Sequence, residues 1–128
     1  MLRYLVVLGG LLVMVLSTTP VLAVEVVDAV ITTAIEDREP VDSVEVFPVK
    51  NGKLYCFTRI IGAEDSTVLY HVWYRGEQLM SRVALPVNSP DWRTWSAKRF
   101  LEEWPGQWHV EIQDADGNRL RKVDFQLR

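Results

Sequence analysis

The stretch GQWHVEIQDADGNRLRKVDFQL, residues 106–127, decides the fold class of this 128-residue chain. Apolar and polar residues alternate on both sides of Asp116-Gly117, so each half predicts a β-strand with one buried face. Asp-Gly between two such runs is a strong signal for a tight hairpin turn. Trp108 is in phase with the other apolar residues of the first half and is predicted to lie in the core. This stretch therefore predicts an antiparallel β-hairpin.

The residues before this hairpin form further short β-rich runs separated by turns. These runs are residues 26–35, 44–49, 54–61, 67–75, 79–87 and 92–100. Asn51-Gly52 predicts a hairpin between the second and third runs, and Gly76-Glu77 predicts one between the fourth and fifth. No long stretch has the 3.6-residue apolar periodicity of a helix. We predict an all-β fold, a single antiparallel β-sandwich of seven to eight strands that is immunoglobulin-like, with a small barrel as the alternative.

The first 23 residues have the three-part pattern of a secretory signal peptide. Arg3 supplies the basic start, residues 4–16 are uncharged and apolar, and Val21-Leu22-Ala23 offers a cleavage site. The apolar segment of about 13 residues is short for a membrane span, which needs about 20. We predict a signal peptide over 1–23 and one domain over 24–128, with an uncleaved inner-membrane anchor as the alternative. The predicted location is the periplasm or the cell envelope.

Charge and cysteine content argue against several classes of protein. The chain has 14 basic and 17 acidic residues, whereas nucleic-acid-binding domains are usually basic, so no nucleic-acid partner is expected. The single cysteine, Cys56, rules out an intrachain disulfide, and its apolar neighbours predict an inert buried thiol. Residues 25–45 contain seven acidic residues and one basic residue, whereas residues 75–99 contain five basic and two acidic residues. The basic region is therefore a candidate contact surface for an anionic partner.

The sequence gives little support for catalysis or for a metal site. His71 and His109 are far apart and no cysteine pair accompanies them, so we predict no metal and no other cofactor. Residues 114–118 alternate oxygen ligands as a calcium loop does, but an EF-hand pattern is not completed, and a hairpin turn is favoured. No G-x-S-x-G motif occurs, and nothing in the sequence connects Ser96 to a histidine. We therefore predict that the protein is not an enzyme.

The best candidate for a site combines aromatic and cationic side chains in two of the predicted strands. The candidate ligand- or partner-binding residues are His71, Trp73, Arg75, Trp92, Arg93, Trp95 and Lys98. The first three share one face of an ideal strand, and we expect this face to be exposed and the opposite face, with Tyr70, Val72 and Tyr74, to be buried. An indole beside a cation suits a sugar ring or an anionic group. The alternative is that the tryptophans are core residues and that His71 forms hydrogen bonds to a neighbouring strand.

Several motifs of the chain resemble those of one bacterial protein family. They are Glu39-Pro40, Phe57, HVWY at 71–74, WRTWSAK at 92–98, GQWHV at 106–110 and DADG at 114–117. In this order and spacing they resemble the domain of unknown function 2914 family over residues 27–127, and the tryptophan motifs are the specific part. The resemblance implies an exported or membrane-tethered β domain, and it carries no catalytic residues to transfer.

These observations together lead to one expected function and two alternatives. We expect an exported, non-enzymatic binding or interaction module of the bacterial envelope, without a membrane span once the leader is cleaved. An envelope protein is the favoured partner, and binding of cell-wall glycan is the alternative. A hydrolase is the third and least supported interpretation.

Overall fold

A computed structural model describes residues 3–4, 8–16 and 23–128 of the chain. Part of the predicted signal peptide, including most of its predicted cleavage site, lies outside the described residues. The described residues include no helix that is long and apolar enough to cross a membrane.

The described residues contain ten β-strands and one short 3-10 helix. In chain order the strands are β1 (Glu25–Thr32), β2 (Ile35–Glu36), β3 (Glu39–Pro40), β4 (Val46–Phe47), β5 (Lys53–Ile61), β6 (Thr67–Arg75), β7 (Gln78–Val87), β8 (Asp91–Arg99), β9 (Gly106–Gln113) and β10 (Arg119–Leu127). The 3-10 helix, Val49–Asn51, lies between β4 and β5. Seven strands have eight residues or more, and the predicted all-β class is confirmed.

Two main sheets form the domain and pack against each other. One has the strand order β1-β5-β8 and the other β4-β10-β9-β6-β7, while β2 and β3 form a separate small sheet. All pairings are antiparallel except that of β4 with β10. Ile31 and Leu54 of the first sheet belong to the same buried cluster as Trp108 and Phe125 of the second. The core therefore lies between two facing sheets, in a sandwich-like arrangement.

Two of the predicted hairpins are confirmed. β6 pairs with β7 across Gly76-Glu77, and β9 pairs with β10 across the turn that contains Gly117. In the second turn, Oδ1 of Asp114 accepts hydrogen bonds from the backbone N–H groups of Asp116, at 3.0 Å, and Asn118, at 2.9 Å. Gly117 has a φ of 83°, a left-handed conformation that favours glycine. The alternating oxygen ligands of this segment therefore build a hairpin turn.

The predicted hairpin at Asn51-Gly52 is wrong. β4 pairs in parallel with β10, whereas β5 lies between β1 and β8, so the two runs belong to different sheets. Asn51 ends the 3-10 helix, and the Gly52 N–H donates to the carbonyl of Val49 at 3.0 Å. A two-residue hairpin turn of type I′ needs a positive φ at both central residues. Only Gly52 has one here, so the chain crosses from one sheet to the other instead of folding back.

The core contains two residues whose burial the sequence predicts. Trp108 is buried, and its ring contacts Phe100 and Phe125. Cys56 is also fully buried, and desolvation raises the pKa of its thiol to about 12. Both predictions are confirmed, and the thiol is in the unreactive protonated form at neutral pH.

Candidate functional site

The predicted exposure of His71 and Trp73 is wrong. Both side chains are 0% exposed, and they point between the two sheets together with Leu69. On the opposite face of β6, predicted to be the core, Tyr70 and Tyr74 are partly exposed, and only Val72 is buried as predicted. Both faces of this strand are largely apolar, so alternation alone does not identify the inner one. The packing of the β1-β5-β8 sheet against β6 decides it.

His71 and Trp73 belong to a buried polar network that connects the two sheets. The Nδ1 atom of His71 lies 2.7 Å from Oγ of Ser96 on β8, and Nε2 lies 2.9 Å from Oγ1 of Thr58 on β5. The indole N–H of Trp73 donates to the same Ser96 oxygen at 3.0 Å. Three strands are thereby joined through polar side chains inside an otherwise apolar core.

One assignment of protons satisfies all these groups. If Nε2 of His71 carries the proton, it donates to Thr58, and Nδ1 accepts from the hydroxyl of Ser96 while that oxygen accepts from Trp73. The imidazole is then neutral. Desolvation by burial favours this form and lowers the pKa of His71 to about 3. The network resembles a serine–histidine pair in composition, but Ser96 is only 6% exposed and His71 is fully enclosed.

Arg75 and Lys98 lie together at a second location, beside Trp104-Pro105. A guanidinium N–H of Arg75 donates to the carbonyl of Pro105 at 3.1 Å. The ammonium of Lys98 lies 5.5 Å from the ring centroid of Trp104, within the range of a cation–π contact. Both cations are therefore engaged with the loop before β9.

The remaining three candidate residues, on β8, line one cavity of about 300 Å³. Its lining consists of Arg38, Pro86, Trp92, Arg93, Thr94 and Trp95. Pro86 is on β7, so the edge strands of the two main sheets both contribute to the cavity. Trp95 is paired in register with the fully buried Phe57 of β5. The structure thus brings together an aromatic and cationic pocket on β8.

The turn between β2 and β3 supplies one of the cavity residues that the sequence prediction missed. Asp37 and Arg38 form this two-residue turn with φ values of 50° and 63°, a conformation that usually requires glycine or asparagine. The guanidinium carbon of Arg38 lies 5.7 Å from the ring centroid of Trp92. Backbone strain at a residue that reaches a cavity is a common feature of functional sites. The sequence offered only a charged interruption at this point, without a glycine to mark a turn.

Two arginines lie side by side on β5 and β8, and each has a carboxylate. Arg59 and Arg93 are directly paired in register. Arg59 forms two hydrogen bonds to Asp91, at 3.0 and 2.7 Å, and these bonds hold the pKa of Asp91 below its usual range. Nε of Arg93 lies 2.7 Å from Oε1 of Glu39 on β3, but its N–H is not directed at that oxygen and has no hydrogen-bond partner. The Arg59–Asp91 pair therefore has two hydrogen bonds, whereas Nε of Arg93 forms none with Glu39.

The β8 strand forms an edge of its sheet. In the part of the chain that the structure describes, β8 pairs with β5 on one side and with no strand on the other. Trp92, Arg93 and Trp95 all belong to this edge strand. An unpaired strand edge presents backbone N–H and C=O groups that can accept an additional strand.

The described residues hold no group of three or more histidine, cysteine, aspartate or glutamate side chains arranged to bind a metal. A second cavity of about 300 Å³ is lined by Glu45, Val46, Gln107, Asp124, Phe125 and Gln126. It contains two carboxylates and no cation. The two cavities therefore differ in charge, and only the β8 cavity combines cations with indole rings.

Comparison with known proteins agrees with the resemblance noted in the sequence. Residues 66–127 match the family described as "Protein of unknown function (DUF2914)". This range is shorter than the expected 27–127: it contains β6 to β10 but not Glu39-Pro40, Phe57 or the Arg38 turn. No match was found among curated proteins. With the tryptophan motifs of β8 and β9 inside the matched range, residues 66–127 of the chain belong to the DUF2914 family.

Proposed function

We propose that this chain is an exported, non-enzymatic binding module of the bacterial envelope, and that the cavity on β8 is its binding site for a protein partner. One observation carries the proposal. Two tryptophans and two arginines line a cavity along the edge of β8, which pairs with no strand on that side among the described residues. We infer that an extended segment of the partner adds to this edge, because backbone groups provide affinity there and side-chain pockets provide specificity.

A protein partner is favoured over a glycan by the arrangement around Trp92. Sugar binding needs an indole face that is open for stacking, but the guanidinium of Arg38 already lies over the Trp92 ring. The free edge of β8 offers a peptide backbone hydrogen bonds that a sugar ring cannot form in the same regular series. Cell-wall glycan remains the second candidate, since the indole of Trp95 also lines the cavity.

The non-enzymatic part of the proposal is supported by where the reactive side chains lie. The residues that line the β8 cavity include no histidine, cysteine, serine or carboxylate. The Ser96–His71 pair is enclosed between the sheets. A fluorophosphonate probe that reacts with activated serines should therefore leave Ser96 unlabelled, and labelling of Ser96 in the folded protein would contradict this assignment.

We further propose that the sandwich is of the immunoglobulin-like type, exported by the leader over residues 1–23. Support for the type is the strand order. If the seven long strands are read in sequence, the first, second and fifth lie in one sheet, and the third, fourth, sixth and seventh lie in the other. Immunoglobulin-type domains divide their strands between two sheets in a similar way. Support for export is the basic, apolar and small-residue pattern of the leader.

A retention assay tests the proposed function with two ligand sources in parallel. The purified full chain is immobilised and exposed to detergent-solubilised envelope extract, and it is separately incubated with isolated cell-wall sacculi. Arg38→Gly and Trp95→Ala alter the site, and Glu77→Gln, in the exposed β6–β7 turn, is the control. We expect one discrete protein to be retained by the wild type and by Glu77→Gln, and lost from both site variants.

Arg38→Gly is the most informative variant because its effects on stability nearly cancel. Glycine relieves about 1–2 kcal/mol of left-handed strain, but it loses a cation–π contact and adds entropy to the unfolded chain, each worth about 0.5–1 kcal/mol. A melting temperature close to that of the wild type verifies that it is folded. If the wild-type chain is retained on sacculi and both site variants are not, the glycan function is favoured. If all variants behave equally with both ligand sources, the β8 cavity is not the binding site.

A further inference from the structure

Resting on the proposed function, we propose that the segment that binds β8 is acidic. One of its carboxylates takes the place of Glu39 on Arg93, so that Glu39 acts as an internal competitor of the ligand. The site is then an arginine-based receptor for an extended acidic peptide, and the β2–β3 turn covers it when no ligand is bound.

The contrast between the two neighbouring arginines is the first support. Arg59 uses two N–H groups to bind both oxygens of Asp91, the strong two-point geometry of an arginine–carboxylate pair. Arg93, its direct neighbour in register, is only in close contact with one oxygen of Glu39, and its buried Nε–H has no hydrogen-bond partner. A carboxylate in a better position would satisfy Arg93 as Asp91 satisfies Arg59. Arg93 can thus exchange the Glu39 carboxylate for a carboxylate of the ligand.

The position of Glu39 makes it a weakly held partner. Glu39 is on a strand of two residues, directly opposite Glu36 in register, and like charges at such positions repel each other. Its side chain is 53% exposed, and the turn before it holds two non-glycine residues at positive φ. These features favour release of the Glu39 carboxylate from Arg93 when a better-placed carboxylate is present.

The charges around the cavity favour an anionic segment once Glu39 has moved. The cavity lining includes the side chains of Arg38 and Arg93 and no carboxylate. The nearest acidic residue on β8, Asp91, is already neutralised by Arg59. Side chains of an added strand alternate between the two faces of the sheet, so every second residue of the ligand would lie on the face that carries Arg93. Acidic residues at alternate positions fit this arrangement.

The test measures binding of two synthetic peptides and one polysaccharide to the purified full chain. The peptides are acetylated and amidated decapeptides, five repeats of Thr-Glu or five repeats of Thr-Gln, and the polysaccharide is polygalacturonate, which also carries carboxylates. The variants are Glu39→Gln, Arg93→Gln and the control Glu77→Gln, which removes the same charge far from Arg93. Dissociation constants come from tryptophan fluorescence and calorimetry, and amide hydrogen exchange reports protection of β8.

The expected result is a specific pattern of affinities. The Thr-Glu peptide binds and protects β8 amides, and the Thr-Gln peptide binds at least about tenfold more weakly. Glu39→Gln tightens binding of the Thr-Glu peptide about fivefold, Arg93→Gln weakens it about tenfold, and Glu77→Gln changes it less than about twofold.

Other outcomes overturn the inference in distinguishable ways. Equal affinity and equal β8 protection for both peptides would leave strand addition standing and refute carboxylate recognition. Binding of polygalacturonate alone, weakened in Arg93→Gln, would assign the site to an anionic glycan and refute the peptide. Absence of binding by both peptides, or weaker binding of the Thr-Glu peptide to Glu39→Gln, would refute the exchange at Arg93. This conclusion would hold whether or not the retention assay finds an envelope protein, so the two proposals fail independently.

Discussion

Replacing Ser96 by alanine removes the hydroxyl that joins His71 to Trp73. The Ser96 oxygen accepts the indole N–H at 3.0 Å and is 2.7 Å from Nδ1 of the imidazole, and all three side chains are buried. Without it, two buried polar groups lose their partners, at a cost of about 1–3 kcal/mol each. The expected loss in the free energy of unfolding is about 2–4 kcal/mol, which lowers the melting temperature of a domain of this size by about 10–20 °C.

Urea unfolding, followed by tryptophan fluorescence and circular dichroism, measures this loss. Ser81→Ala on β7 is the matched control, since the Ser81 hydroxyl forms no hydrogen bond to the described residues, and its expected effect is within about 0.5 kcal/mol. If Ser96→Ala were no more destabilising than Ser81→Ala, the buried network would not contribute to stability and the reasoning would be refuted.

Three further predictions concern titration, reactivity and backbone conformation. Burial lowers the pKa of His71 to about 3, so below pH 6.5 the unfolded chain binds a proton that the folded chain does not. The free energy of unfolding should therefore fall by up to about 1.4 kcal/mol per pH unit between pH 6.5 and 3. Urea unfolding at several pH values should show that this slope is retained in His109→Gln and reduced in His71→Gln. Cys56, with its pKa raised to about 12, should resist iodoacetamide at pH 8 in the folded protein and react in guanidinium, as mass spectrometry can show; alkylation of the folded protein would contradict its burial. Gly117→Ala should cost about 1–2 kcal/mol, because φ at this turn is 83°, and an unchanged denaturation midpoint would argue against this turn geometry.

Local signals in the sequence account for the parts of the fold that were predicted correctly. The hairpin β9–β10 and the hairpin β6–β7 each depend on residues that are neighbours in the chain: a glycine at the turn and alternating side chains on both sides. The burial of Trp108 follows from the same alternation. These features need no information about which other strands are near.

The failed hairpin at Asn51-Gly52 and the reversed faces of β6 have a common cause. In both places the sequence pattern fits two arrangements equally well, and contacts distant in sequence select one of them. Pairing of β4 with β10 draws residues 46–47 into the second sheet, away from β5. On β6, both sets of alternate residues are largely apolar, and hydrogen bonds to Ser96 and Thr58 fix His71 on the inner side.

By itself, the sequence determined the all-β class, two hairpins and the family, because alternation, turn residues and short motifs are written in contiguous residues. It also identified Trp92, Arg93 and Trp95 as candidate site residues that the structure brings to one cavity. Only the tertiary structure decided which face of β6 is buried, how Ser96 meets His71, and that Arg38 reaches the cavity on β8. These contacts join residues that are distant in sequence, and their geometry depends on strand order and sheet packing, which local patterns do not encode.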